Sequence, residues 1–251
     1  VCGKAAVSQL KWKDIYAWAS SLTPPGTLPA DPEDRVNISP SRLRRKYEPD
    51  SMVWETLPVI HPDGEIDRAG EATWPFLPPW SGGQLPRNKD GKILSTANAR
   101  LRYEGPPFAP SYMGAWSKQS RVLVPVSWFY EFDSRVRPQI PYAVFPLHAS
   151  FWMLCGLAST FTAADGSKQL SVSIITVEPN KVLKSVGHHR SPAIIQSPLE
   201  AQQWLHAPKQ EALTLLRPFP DESMGVEAIP MGIKIPGNEE ISLPESLRRW
   251  H

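Results

Sequence analysis

The sequence predicts an α+β fold dominated by β-strands, on three observations. Apolar, β-branched runs crowd the middle of the chain, and helix signals are confined to its two ends. Prolines number 28 in 251 residues, about twice the usual ~5% share, which favours turns and ordered loops over long helices. No repeat, low-complexity tract or linker-like stretch divides the chain, so a single domain over 1–251 is expected.

Taken in order, Leu10, Ile15, Trp18 and Leu22 predict an amphipathic helix over 8–22, stopped by Pro24-Pro25-Gly26. A long polar, proline-punctuated stretch follows, and 81–92, from Ser-Gly-Gly to Lys-Asp-Gly, is predicted as an exposed loop. Strands are expected at 121–126, 141–145, 151–157 and 170–177. A short helix should end at Gly187. Ser197-Pro198-Leu199-Glu200 is a capping box with proline at the first helical position; it opens a helix through Leu205, and 210–216 reads as another.

Hydrophobic residues make up 41% and charged residues 21%, the balance of an ordinary soluble globular protein. A net charge of +2 makes a whole-molecule electrostatic case for nucleic acid weak. Local clusters are more informative: Arg42, Arg44, Arg45 and Lys46, then Arg100 and Arg102, are either solvated faces or DNA contacts. The 10 tryptophans either pack a core or offer stacking surfaces for bases. No apolar run reaches the ~18–20 residues of a membrane span and no signal peptide opens the sequence, so a cytoplasmic protein is expected. The two cysteines argue against a disulfide framework. Cys155, within Phe151-Trp-Met-Leu-Cys-Gly-Leu157, is expected to be a buried, inert thiol. Metal-ligand spacings, a P-loop and a dinucleotide fingerprint are missing, so neither metal nor cofactor is expected.

Four segments carry candidate chemistry. The sequence opens Val1-Cys2-Gly3-Lys4. Val1 is read as a start codon written as valine or as an added residue; once it is removed, Cys2 becomes a 1,2-aminothiol. The amine of such a group, with a reference pKa near ~7.7, is partly neutral at pH 7 and attacks aldehydes to give an imine. The thiol then closes a thiazolidine ring. Glu131, within Ser127-Trp-Phe-Tyr-Glu-Phe132, is a carboxylate in an apolar setting. It is either paired, with an arginine as the obvious partner, or protonated and suited to general acid/base work. In Gly187-His188-His189-Arg190-Ser191-Pro192, extended chain would put His188 and Arg190 on one face and His189 on the other. Asn98-Ala-Arg100 offers an amide beside a guanidinium, suited to a polar ligand atom and a phosphate.

Six pieces in one order, spanning 2–205, resemble the SOS response-associated peptidase family, whose members sense abasic sites in single-stranded DNA. They are Cys2-Gly3-Lys4, Asn37-Ile-Ser-Pro40, Trp74 to Trp80, Asn98-Ala-Arg100, Arg121-Val-Leu-Val-Pro with Phe129-Tyr-Glu131, and His188-His-Arg-Ser-Pro192. Lys4 stands for the family's arginine, Pro75 for a glycine, Arg102 for a glutamate and Val122 for a common cysteine.

The resemblance implies a compact, barrel-like mixed or antiparallel sheet with peripheral helices and a positively charged groove. It implies Cys2 as covalent nucleophile and Asn98 as holder of the Cys2 amine or the sugar. Glu131 would shuttle protons, and His188 would assist imine chemistry and crosslink reversal. Lys4, Asn37, Trp74, Arg100, Arg121 and Arg190 would contact DNA. The implied partner is single-stranded DNA containing abasic sites, bound by a monomer that associates with the nucleoid when DNA is damaged. Two other readings share these residues: a thiol autopeptidase acting through Cys2, and a non-covalent single-stranded DNA-binding module.

Overall fold

A computed structural model describes the backbone of residues 3–40, 42–45 and 48–229, with side chains outside 42–45 and 48–53. The chain runs β1 (Lys4–Val7), α1 (Trp12–Trp18), β2 (Arg35–Ile38), β3 (Arg42–Arg45), β4 (Glu48–Asp63) and β5 (Ile66–Trp74). After a 3-10 turn at Pro79–Ser81 come β6 (Asn98–Arg100), α2 (Pro110–Ser117), β7 (Arg121–Val126), β8 (Trp128–Asp133), β9 (Ile140–Pro146), β10 (Trp152–Thr162) and β11 (Lys168–Val177). Then follow α3 (Lys181–Ser185), β12 (Ser191–Pro192), β13 (Ile194–Ile195), α4 (Pro198–His206), α5 (Lys209–Thr214) and β14 (Met224–Ala228).

Five of these strands close into a barrel. β11 pairs β5 in parallel, and β5–β4, β4–β7, β7–β10 and β10–β11 pair antiparallel, so the ring returns to its start. Closure removes the exposed edges that an open sheet would present. β6 adds to the end of β11, with Thr176 opposite Arg100, and β12 joins the same end, with Val177 opposite Ser191. A second sheet, antiparallel throughout, has the order β14-β9-β8-β1-β2. Its strands alternate as the two-residue period requires. Ala5, Val7, Phe129 and Val144 face the main core, while Ala6, Trp128, Tyr130 and Ala143 form a smaller cluster on the other face.

The four strands expected in the middle of the chain are present: β7 has the expected bounds, β9 is one residue longer at each end, β10 starts one residue later and runs on to Thr162, and β11 starts two residues earlier; the capping box opens α4 through the Glu200 N–H on Ser197 Oγ at 3.2 Å. The first helix is shorter than its pattern: only Trp12–Trp18 is helical. The preceding residues are drawn away by better partners. Ser8 N–H donates to Ser127 Oγ at 2.9 Å, Gln9 N–H to Asp34 at 2.6 Å, and Gln9 adopts φ 53°. The polar, proline-rich stretch holds a long hairpin, β4–β5, turned at Gly64 with φ 65°. Of the loop expected over 81–92, Ser81 belongs to the 3-10 turn and the rest is loop, with one isolated bridge, Arg87 to Ile93.

Gly156, on the buried face of β10, has no room for a side chain. A Cβ there would lie 2.9 Å from Val122 Cγ2 and 3.0 Å from Val172 Cγ2. Gly156→Ala is therefore expected to destabilise the fold by about 1–3 kcal/mol in urea unfolding, and adding Val122→Ala should recover part of that. Equal stability of Gly156→Ala and the parent chain would contradict this packing of the barrel wall.

Candidate active site

β8 carries the central acid. Glu131 is 1% exposed, and a carboxylate so buried needs a partner. The partner is His188, whose Nε2 lies 2.7 Å from Glu131 Oε2, not the arginine that composition suggested. Nδ1 lies 3.2 Å from the Arg190 carbonyl oxygen, which only accepts, so Nδ1 carries hydrogen. The line between Nε2 and Oε2 then holds a single proton. It is either an imidazolium facing a carboxylate or a neutral imidazole accepting from a carboxylic acid. A pair built this way passes a proton with little rearrangement.

His188 is delivered by α3. Asn180 Oδ1 caps that helix by accepting from Leu183 N–H at 3.0 Å, and Gly187, with φ 79°, turns the chain out of it. His188 N–H then returns to the Leu183 carbonyl at 2.9 Å. Because of this turn, 188–190 is not an extended strand. The rings of His188 and His189 stack, with centroids 5.7 Å apart, rather than pointing to opposite sides. Burial lowers the His189 pKa, aided by nearby His188, Arg100 and Arg190.

Cys2 lies outside the described residues. β1 begins two residues later and pairs with β8 in the register Ala5↔Phe129, Lys4↔Tyr130, which runs towards Gly3 and Glu131. On its other side β1 pairs with β2, and Lys4 Nζ donates to Asn37 Oδ1 at 2.6 Å. Burial lowers the Lys4 pKa, opposed by the nearby Glu55 carboxylate. Asn98 and the exposed Arg100 are set by β6 against the end of β11, beside the segment that carries His188 to Pro192.

Three residues expected at DNA are walls instead. Arg190 is buried; it donates to the carbonyls of Thr176 and Leu101 and pairs with Glu178 at 3.2 Å, so it staples β11 to the residue after β6. Arg121 is buried under α4, with Nη2 on the Leu205 carbonyl at 3.2 Å and the Ala207 carbonyl at 2.5 Å, where it satisfies helix-end acceptors. Trp74 is buried, with its indole N–H on the Ala97 carbonyl at 3.0 Å. In the folded protein none of the three presents its polar or aromatic group to a phosphate or base. The exposed tryptophan among the described residues is Trp80, at 70%. Its place between Pro79 and Ser81 in a short turn was the available signal, and Trp74 overshadowed it. The cluster Arg42, Arg44 and Arg45 lies in β3, and its side chains and Lys46 fall outside the described residues.

Cys155 is fully buried and burial raises its thiol pKa, so the thiol is held protonated. Among the described residues, no group of three or more His, Cys, Asp or Glu side chains is arranged to hold a metal. No helix among them is long and apolar enough to cross a membrane.

The sequence pattern of the family described as SOS response associated peptidase (SRAP) matches residues 1–234. The abasic site processing protein YoaM of Bacillus subtilis is 26% identical over 84% of this chain and 90% of its own length. The abasic site processing protein HMCES of Gallus gallus is 25% identical over 58% of this chain and 48% of its own length. A crystal structure of a Bordetella bronchiseptica protein superposes with a TM-score of 0.63 at 18% identity, covering 92% of this chain and 100% of the other, which is a likeness of fold.

The site also contains a carboxylate with a defined acid response. The Asp133 pKa is pushed down from 3.8 to about 2, first by the Arg135 side-chain hydrogen bond and then by the Arg135 backbone N–H. A folded-state value below the unfolded one stabilises the fold fully above the unfolded pKa, and that stabilisation is lost as pH falls through the folded pKa. Urea midpoints of the parent chain should therefore fall between about pH 4 and 2, and those of Asp133→Asn should fall less over the same interval. Parallel curves would contradict the pairing.

Proposed function

Because the chain belongs to the SOS response-associated peptidase family, we propose that it processes abasic sites in single-stranded DNA by capturing the ring-opened sugar aldehyde on Cys2. The observation that carries this reading is the buried Glu131–His188 contact of 2.7 Å, beside the strand register that leads back to residue 2. With residue 1 removed, the Cys2 amine adds to the aldehyde carbon and gives a carbinolamine. The proton held between Glu131 and His188 goes to the departing hydroxyl, water leaves, and the nitrogen returns its own proton to the pair to give the imine. The Cys2 thiol adds its sulfur to the imine carbon and its proton returns to the nitrogen, closing a thiazolidine. One water is released overall.

Asn98 orients the amine or the sugar, and Arg100 holds a flanking phosphate, with Lys4 and Asn37 as a second polar pair along a positively charged groove. Base stacking falls to Trp80, since Trp74 is enclosed. The protein acts as one domain and as a monomer. The same thiol and proton pair would serve a thiol peptidase step that removes residue 1, which precedes Cys2 in the sequence and has to be absent for ring closure.

A single-stranded oligonucleotide with one abasic site should give a denaturation-resistant product with this protein and none with Cys2→Ala or with a residue retained before Cys2. Absence of that product from protein with a verified free Cys2 terminus would contradict the proposal. Glu131→Gln should slow single-turnover capture by about 10²-fold while DNA affinity changes little; unchanged rate with weakened binding would give Glu131 a structural role. Arg100→Ala should weaken binding and reduce the salt slope by about one, and an unchanged slope would remove Arg100 from the phosphate contacts.

A further inference from the structure

β8 ends Glu131-Phe132-Asp133, so two carboxylates share one strand face. Asp133 is buried like Glu131, and its charge reaches His188. Arg135 grips Asp133 with three donors: Nε to Oδ1 at 2.9 Å, Nη2 to Oδ2 at 2.7 Å, and the backbone N–H to Oδ1 at 2.9 Å. Its Nη2 also donates to the Ser185 carbonyl at 3.0 Å, at the last residue of α3. A carbonyl at a helix end has no partner within the helix, and the guanidinium supplies one. Gly187 packs directly beneath this contact. A Cβ on it would lie 2.5 Å from both Arg135 Nε and Asp133 Oδ1, and its φ of 79° already excludes most side chains. The next residue is His188.

We propose that Arg135 is a positioning residue: with Asp133, Ser185 and Gly187 it forms a clamp that fixes the imidazole of His188 on Glu131. Two links then join the end of β8 to the turn after α3, Arg135 between Asp133 and Ser185, and Glu131 to His188. The second holds its proton line only while the first holds the turn. More than half of the Arg135 side chain is exposed, but the Asp133 carboxylate it pairs with is buried, so the pair adds to stability as well as to geometry. For the proton line its contribution is orientation, where a displacement of about 1 Å is enough to slow a proton transfer strongly.

The inference rests on the proposed chemistry for its rate readout but not for its structural one. In the free protein, the imidazole N–H resonances of His188 should shift or broaden in Arg135→Gln and in Gly187→Ala, and should be partly restored in Arg135→Lys. The unfolding midpoint of Arg135→Gln should fall with the loss of the Asp133 pairing, so the resonances are compared in urea-free buffer near pH 7, where both chains are folded. Single-turnover capture by Arg135→Gln should fall about tenfold with DNA affinity unchanged. Unchanged His188 resonances in both Arg135→Gln and Gly187→Ala would overturn the clamp, as would an unchanged rate in Arg135→Gln. If the parent chain captures no abasic DNA, the proposed function fails, and the resonances still decide the clamp.

Discussion

A carboxylate sealed into an apolar sheet is expensive unless something shares its charge, by several kcal/mol for an isolated ion. Glu131 resolves this with one imidazole, and the Arg190 carbonyl fixes the far side of that imidazole as a donor. The arrangement leaves one mobile proton between two heavy atoms 2.7 Å apart. The surrounding architecture makes sense as the means of holding that line. β8 is locked in a sheet between β1 and β9, and α3 with its left-handed glycine brings His188 in from a distant part of the chain.

Two arginines that composition would send to the surface are spent on this frame. Arg190 ties together the carbonyls of β11 and of the residue after β6. It thereby keeps its own carbonyl in place for His188 and keeps β6, with Asn98 and Arg100, at the same end of the barrel. Arg121 closes the carbonyl end of α4 and lies over the ring of Trp204. Buried guanidinium groups bonded to backbone carbonyls fix geometry at a cost in desolvation, the more so here because Arg121 Nε and Nη1 and Arg190 Nε are buried without a hydrogen-bond partner.

The fold and the site were legible to different depths. β7 and β11 announce themselves through β-branched residues and β10 through an apolar, partly aromatic run, all of which suit a pleated, buried surface. The β4–β5 hairpin was hidden because Pro58 and Pro62 interrupt β4, and proline ordinarily argues against a paired strand. For Glu131 the sequence showed that a buried acid needs a partner or a proton. It could not choose His188, because that contact crosses from one sheet to a turn after a helix. For Arg121, Arg190 and Trp74 the side-chain chemistry is visible in the sequence, but their burial depends on what the fold lays over them. The role of Arg135 was illegible, since its meaning depends on the Ser185 carbonyl and on the absence of a Cβ at Gly187.

The central claim is that a proton supplied by the Glu131–His188 pair lets the amine and thiol of Cys2 close one ring on an abasic aldehyde. The most direct measurement is mass spectrometry of the digested protein–DNA product, made with and without borohydride. The account predicts an N-terminal peptide starting at Cys2, with the sugar attached, one water lost and no mass change on reduction, as a thiazolidine requires. An adduct on a lysine, or one at Cys2 that gains two hydrogens on reduction and so was an open imine, would contradict it.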